Sequence, residues 1–253
     1  MSSRPSASQS GALYIVDYGS GNLRSVQKAF EHVGVSAVVG SDPAAMKDAA
    51  ALVLPGVGAF GAAMAQLEGK GLVEPLVERI EAGVPFLGVC LGLQLLFESS
   101  EEDPGVAGLG LIRGDVRSLP ATVKVPHIGW NQAELCGCSE LFEGIPDGAA
   151  FYFVHSYAVV PRSPGDVMCM TDYDGVTFVS GIEADNVAAI QFHPEKSSTL
   201  GLRFYRNFAR KAGLAVGPES ADDAAVGGGG PAASGSAAAA DSRGGCRPSG
   251  GAV

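Results

Sequence analysis

The chain has 253 residues, enough for one large α/β domain or two small ones. With Lys+Arg 17 against Asp+Glu 27, its formal charge is -10 and its positive charges are scattered, which excludes a basic footprint for nucleic acid. No apolar run approaches the ~18 residues of a membrane span, and five irregularly spaced cysteines fit no disulfide framework, so a reducing, cytoplasmic setting is expected.

Residues 1–11, MSSRPSASQSG, lack the apolar core of a signal peptide and read as a disordered arm. Residues 12–16 read as a short buried strand running into Asp17-Tyr18-Gly19-Ser20-Gly21-Asn22. Residues 23–33 follow as a helix, with Val26, Ala29, Phe30 and Val33 on one face and Gly34 as its stop. The glycine loop lacks the third glycine of a dinucleotide fingerprint, and no acidic residue ends the next strand at 35–39, so a nucleotide site is disfavoured. Residues 51–54 form a third strand that delivers PGVGAFG at 55–61. Strand–helix–strand alternation predicts an α/β fold, a doubly wound and mostly parallel sheet with its active site at the carboxyl ends of the strands. The PGVG loop there is either an ordinary turn or a set of N–H groups turned towards an anion, as an oxyanion hole requires.

The stretch VPFLGVCLGLQLLF at 84–97 reads as a strand (84–89) and a helix (91–97) with Cys90 on the turn between them. This is the sulfur counterpart of the G-x-S-x-G nucleophile elbow, and a helix N-terminus favours thiolate over thiol. A buried structural cysteine fits the same stretch. The polar run 98–103 ends the helix. Short β-like pieces at 109–112, 116–119, 151–160, 167–170 and 176–182 predict antiparallel strands added to the parallel sheet. Residues 188–192 are one more strand, leading to Gln191-Phe192-His193-Pro194-Glu195-Lys196, and residues 197–212 a helix with Leu200, Phe204 and Phe208 as its buried stripe. Beyond that the chain turns to Gly, Ala, Ser and Pro, which assigns the domain to 12–212 and a disordered tail to 213–253.

A thiolate nucleophile needs a base, and the base an orienting acceptor. Of four histidines, His32 reads as structural on a surface helix, and His127 and His155 as members of polar, aromatic-flanked loops. His193 directly follows a strand, with Glu195 two residues on. Glu195 can orient one ring nitrogen and leave the other for Cys90. No third ligand accompanies the His-x-Glu pair, and Cys136 and Cys138 have no second pair, so neither metal nor cofactor is expected.

In this order and spacing, GVCLGLQLLF, PGVGAFG and QFHPEKS resemble the class I glutamine amidotransferases, whose triad is Cys-His-Glu. DYGSGNLRSV, VPHIGWN and YFVHSY narrow the likeness to the glutaminase subunits of imidazole glycerol phosphate synthases, over residues 12 to about 212. The resemblance implies Cys90, His193 and Glu195 as the triad. It implies an oxyanion hole at Val57, Gly58 and Leu91, with glutamine held by Gln94, Glu102, Ser156 and Tyr157. It further implies heterodimer formation with a (βα)8-barrel cyclase through Asn22, Trp130 and Lys196, and passage of ammonia to that partner. Against a pyridoxal-phosphate-synthase glutaminase or a free γ-glutamyl hydrolase stand the PHIGWN and DYGSGN stretches. Against a cysteine redox sensor stands the oriented base.

Overall fold

The computed structural model describes residues 11–218, so residues 1–10 of the expected arm and 219–253 of the expected tail lie outside the described residues. From the N-terminus run β1 (Leu13–Val16), α1 (Leu23–His32), β2 (Ala37–Gly40), α2 (Pro43–Met46), β3 (Ala51–Gly56), α3 (Phe60–Gly69), α4 (Val73–Glu81) and β4 (Phe86–Cys90). Then come α5 (Leu91–Gln94), β5 (Ser99–Ser100), β6 (Gly114–Ser118), β7 (His127–Leu135), β8 (Ala149–His155) and β9 (Tyr157–Pro161). The chain closes with β10 (Val167–Tyr173), β11 (Val176–Ala184), β12 (Val187–Ile190), a 3-10 turn over Pro194–Lys196, and α6 (Ser198–Lys211).

One sheet joins the strands in the order β2-β1-β3-β4-β12-β11-β10-β7-β8. Neighbours are parallel from β2 to β12 and antiparallel from β11 onward, with β9 branching off β11 to carry β6 and β5. The inner parallel strands β1, β3, β4 and β12 are buried on both faces, as their near-continuous apolar runs require. Leu13, Ile15, Val53 and Leu87 pack with Val26 and Phe30 of α1 and Phe204 of α6. Their alternates Tyr14, Val16, Leu52 and Phe86 pack with Phe60 and Met64 of α3 and Leu76 of α4. Gly34 stops α1 with φ +83 while Val35 N–H reaches back to Phe30 O, the glycine C-cap read from the sequence.

Four local expectations change. The helix expected over 91–97 is a single α-helical turn, after which residues 95–97 continue as looser turns. Residues 109–112 are not a strand; Leu109 and Ile112 donate their N–H groups to Leu95 and Leu96 and so lace back onto that turn. Gly108 permits the approach, since a Cβ there would lie 2.1 Å from Phe97 O. The piece read at 151–160 is two strands separated at Ser156, and β7 was not foreseen because its polar residues dilute the alternation. Past the expected boundary at 212, Leu214 and Val216 still pack on the core, Gly217 N–H bonds Val33 O, and Arg206 bonds Gly217 O.

Candidate active site

Adjacent strands β3, β4 and β12 end at one edge of the sheet, with Gly56 paired to Cys90 and Ile190 to Val89. Parallel pairing therefore brings PGVG, Cys90 and His193 together although they lie far apart in the chain. Cys90 occupies φ 55, ψ -108, a conformation side chains rarely adopt. Its flanking glycines have no room for a side chain: a Cβ on Gly92 would lie 1.8 Å from Leu54 O, and one on Gly88 2.7 Å from Gly92 O. The elbow read from G-x-C-x-G is present.

His193 is buried, with its backbone held at both ends. Its N–H bonds Tyr152 O at 2.9 Å, and its carbonyl accepts the Ser197 hydroxyl at 2.6 Å. Nδ1 lies 2.8 Å from Glu195 Oε1, whereas Nε2 is buried without a hydrogen-bond partner. Burial opposes charge on this ring, but Cys90 beside it and the Glu195 carboxylate outweigh burial and push its pKa up to about 10. Glu195 in turn accepts Asn22 Nδ2 at 2.5 Å and the Tyr205 hydroxyl at 3.0 Å.

At Cys90 lies a cleft of about 220 Å³, lined also by Val57, Gly58, Leu91, Gln94, Glu102, Ser156 and Tyr157. All seven expected oxyanion-hole and glutamine residues thus share one cavity. Gln94 is buried and spends its amide nitrogen on Tyr157 O (3.1 Å) and Gln191 Oε1 (3.0 Å). Glu102 Oε2 accepts Phe60 N–H at 2.8 Å, where a carboxylate suits the start of α3. The Val57 N–H is bonded to Ser20 Oγ at 3.0 Å. Nearby, the Tyr18 hydroxyl is buried with no partner and lies against Gly56, where a Cβ would meet it at 2.3 Å.

The three expected interface residues divide. Trp130 is exposed and meets the Tyr152 ring edge-on at 6.3 Å, while Lys196 Nζ lies 5.4 Å from the same ring's centroid. The Asn22 amide turns inward to Glu195. Exposed Ile128 adds to the Trp130 side of β7.

His127 and His155 are not in polar loops. They face each other across β7 and β8, both buried, with His127 Nδ1 3.0 Å from His155 Nε2 and the Phe153, Tyr173 and Phe178 rings around them. Because Tyr157 O can only accept, His155 Nδ1 carries a proton and its Nε2 accepts from His127. Burial pushes their pKa values down to about 4 and about 3. Tyr205, Tyr18 and Gln191 carried no expected role, and Ser20 was expected only as part of a partner-facing loop. Only Gln191 had a legible signal, being two residues before His193 in an extended run and so on the same side.

Against known proteins, the family model of glutamine amidotransferase class-I matches residues 14–212. The chain belongs to that family. This amidotransferase is 55% identical over 199 residues to the imidazole glycerol phosphate synthase subunit HisH of Aquifex aeolicus, covering 78% of this chain and 96% of the relative. Its identity to the HisH subunit of Methanothermobacter thermautotrophicus is 56% over 194 residues, 77% of this chain and 96% of the relative. A crystal structure of a glutamine amidotransferase superposes with TM-score 0.62 at 22% identity, covering 80% of this chain and 100% of that one, and shows the shared fold. Among the described residues, no cluster of three His, Cys, Asp or Glu could hold a metal ion, and no helix is long and apolar enough to cross a membrane.

Proposed function

We propose that this amidotransferase is the glutaminase subunit of an imidazole glycerol phosphate synthase and acts through Cys90, His193 and Glu195. The observation that carries the reading is the state of His193: one nitrogen tied to Glu195, the other without a partner next to Cys90, beneath a cleft of small-ligand size. Cys90 attacks the side-chain amide carbon of glutamine as the thiolate, which an adjacent imidazolium favours, and forms a C–S bond. His193 passes its proton to the amide nitrogen, the C–N bond breaks and ammonia leaves. The neutral ring then takes a proton from water, which attacks the γ-glutamyl thioester and releases glutamate. Gln94, Glu102, Ser156 and Tyr157 hold the substrate's amino-acid end.

The oxyanion of each tetrahedral intermediate needs N–H donors from Leu91 and from Val57 or Gly58. With the Val57 N–H spent on Ser20, that hole is incomplete in this conformation. Reversal of the Gly56–Val57 peptide completes it. The Ser20 hydroxyl then changes from acceptor to donor, and with the unpartnered Tyr18 hydroxyl it satisfies the carbonyl that takes the N–H group's place. Binding of a (βα)8-barrel cyclase and its nucleotide drives the change, so that ammonia is made only where it is consumed, in forming imidazole glycerol phosphate and aminoimidazole carboxamide ribotide. The Trp130, Ile128 and Lys196 surface is the docking face.

Glutamate release from glutamine tests this, with the chain alone, with cyclase plus nucleotide ligand, and with Cys90→Ala. Strong stimulation by the partner, lost in Cys90→Ala, is the expected result. Equal rates with and without the partner would remove the synthase assignment, and full activity in Cys90→Ala would remove the triad.

A further inference from the structure

We propose that Gln191 is a positioning residue that donates an N–H to the Cys90 sulfur, and that Gln94 fixes the direction of that donation. The proposal rests on Cys90 being the nucleophile. Both glutamines are buried, Gln191 completely. The two ends of an amide differ in kind, so a neighbour that only accepts decides which end faces it. Tyr157 O is such a neighbour, and the Gln94 atom 3.1 Å from it must be Nε2. The second hydrogen of that nitrogen points to Gln191 at 3.0 Å, where it needs an acceptor, so Gln191 presents Oε1. This turns Gln191 Nε2 onto Cys90 Sγ at 3.5 Å, a normal separation for an N–H bonded to sulfur. One backbone carbonyl thus dictates, through two side chains, that the nucleophile receives a donor.

The sulfur needs that donor. With α5 reduced to one turn, little helix dipole reaches Cys90. Val154 O, 3.8 Å from Sγ, accepts from a thiol and repels a thiolate. An N–H that bonds the charged form shifts the balance towards thiolate. The titratable groups around the site are His193 backed by Glu195, Tyr18 from the loop after β1, His155 at the end of β8, and Glu102 and Tyr157 lining the cleft. A change at Gln191 removes none of them. The same network leaves Gln94 with only its Oε1 to offer, suited to an N–H or ammonium of a bound ligand.

The test is the pH dependence of Cys90 alkylation by iodoacetamide, resolved by peptide mass spectrometry so that the other cysteines do not contribute. Gln191→Met keeps the length and packing of the side chain but has no donor. It should raise the midpoint by about one pH unit and lower the alkylation rate near neutrality roughly tenfold. Glutaminase kcat/KM should fall with it and recover towards high pH. Gln94→Met makes the second variant: freed of Gln94, the Gln191 amide can turn over, so the midpoint rises by a smaller amount although Gln94 makes no hydrogen bond to the sulfur. An unmoved midpoint in Gln191→Met at unchanged melting temperature overturns the proposal, and an unmoved midpoint in Gln94→Met overturns the part given to Gln94. Should Gln191→Met not fold, Gln94→Met alone decides. Glutamate release by the unmodified enzyme, assayed alongside, tests the underlying reading separately.

Discussion

Of the three residues proposed as the triad, Glu195 is the most heavily committed, accepting from His193, Asn22 and Tyr205. A carboxylate so held keeps the imidazole in one tautomer and one orientation. Tyr205→Phe removes a hydrogen bond to a charged group, and glutaminase kcat/KM should fall about 10-fold with the fold intact. Asn22→Ala should cost a similar factor even without any partner subunit, which a purely interfacial residue would not do; steady-state assays of the isolated chain decide. His193 and Glu195 were legible because they are two residues apart at the end of an apolar strand. Asn22 was legible only as part of a motif, since 173 residues separate it from Glu195, and Tyr205 offered just an aromatic on a helix.

Two elements set the proposed nucleophile and the proposed oxyanion donor. The elbow was readable in G-x-C-x-G because its glycines answer a steric demand that any chain crossing β3 would impose. Gly92→Ala must push its Cβ away from Leu54 O, and equilibrium denaturation should show a loss of about 3 kcal/mol or more. The glycines of PGVG were readable too, but the orientation of the Val57 peptide depends on Ser20, which belongs to another loop. Ser20→Ala removes the acceptor that holds the N–H here, while the Tyr18 hydroxyl remains for the reversed carbonyl, so partner-free glutaminase should rise several-fold, measured as glutamate release. The extent of α5 could not be read, because Leu109 and Ile112, distant in sequence, supply the hydrogen bonds that end the helical pattern.

For the molecule as a whole, buried histidines tie stability to pH in opposite senses. His127 and His155 stay neutral when folded and take protons near the ordinary 6.5 when unfolded. Their contribution is complete above pH 6.5 and is lost as pH falls towards about 4 and about 3. His193 has a raised pKa, so its contribution is complete below pH 6.5 and fades as pH rises through about 10. Urea denaturation should therefore show stability falling by on the order of 5 kcal/mol between pH 6.5 and pH 4, and less steeply in His127→Gln. The parallel half of the sheet was legible from its apolar runs. So was the addition of antiparallel strands, but their order was not, since the pairing of β7 with β8 is a choice among edges that no single strand encodes.

Tyr152 of β8 has its carbonyl on the His193 N–H, its own N–H on Ser197, and its ring between Trp130 and Lys196 at the surface. Outer skin and inner frame meet in this single residue. A protein that settled on the ring would grip the residue whose carbonyl holds the His193 N–H, coupling recognition to the placement of the imidazole. A substitution at 152 chosen for tighter embrace would be felt first as a change in how squarely the base meets the sulfur.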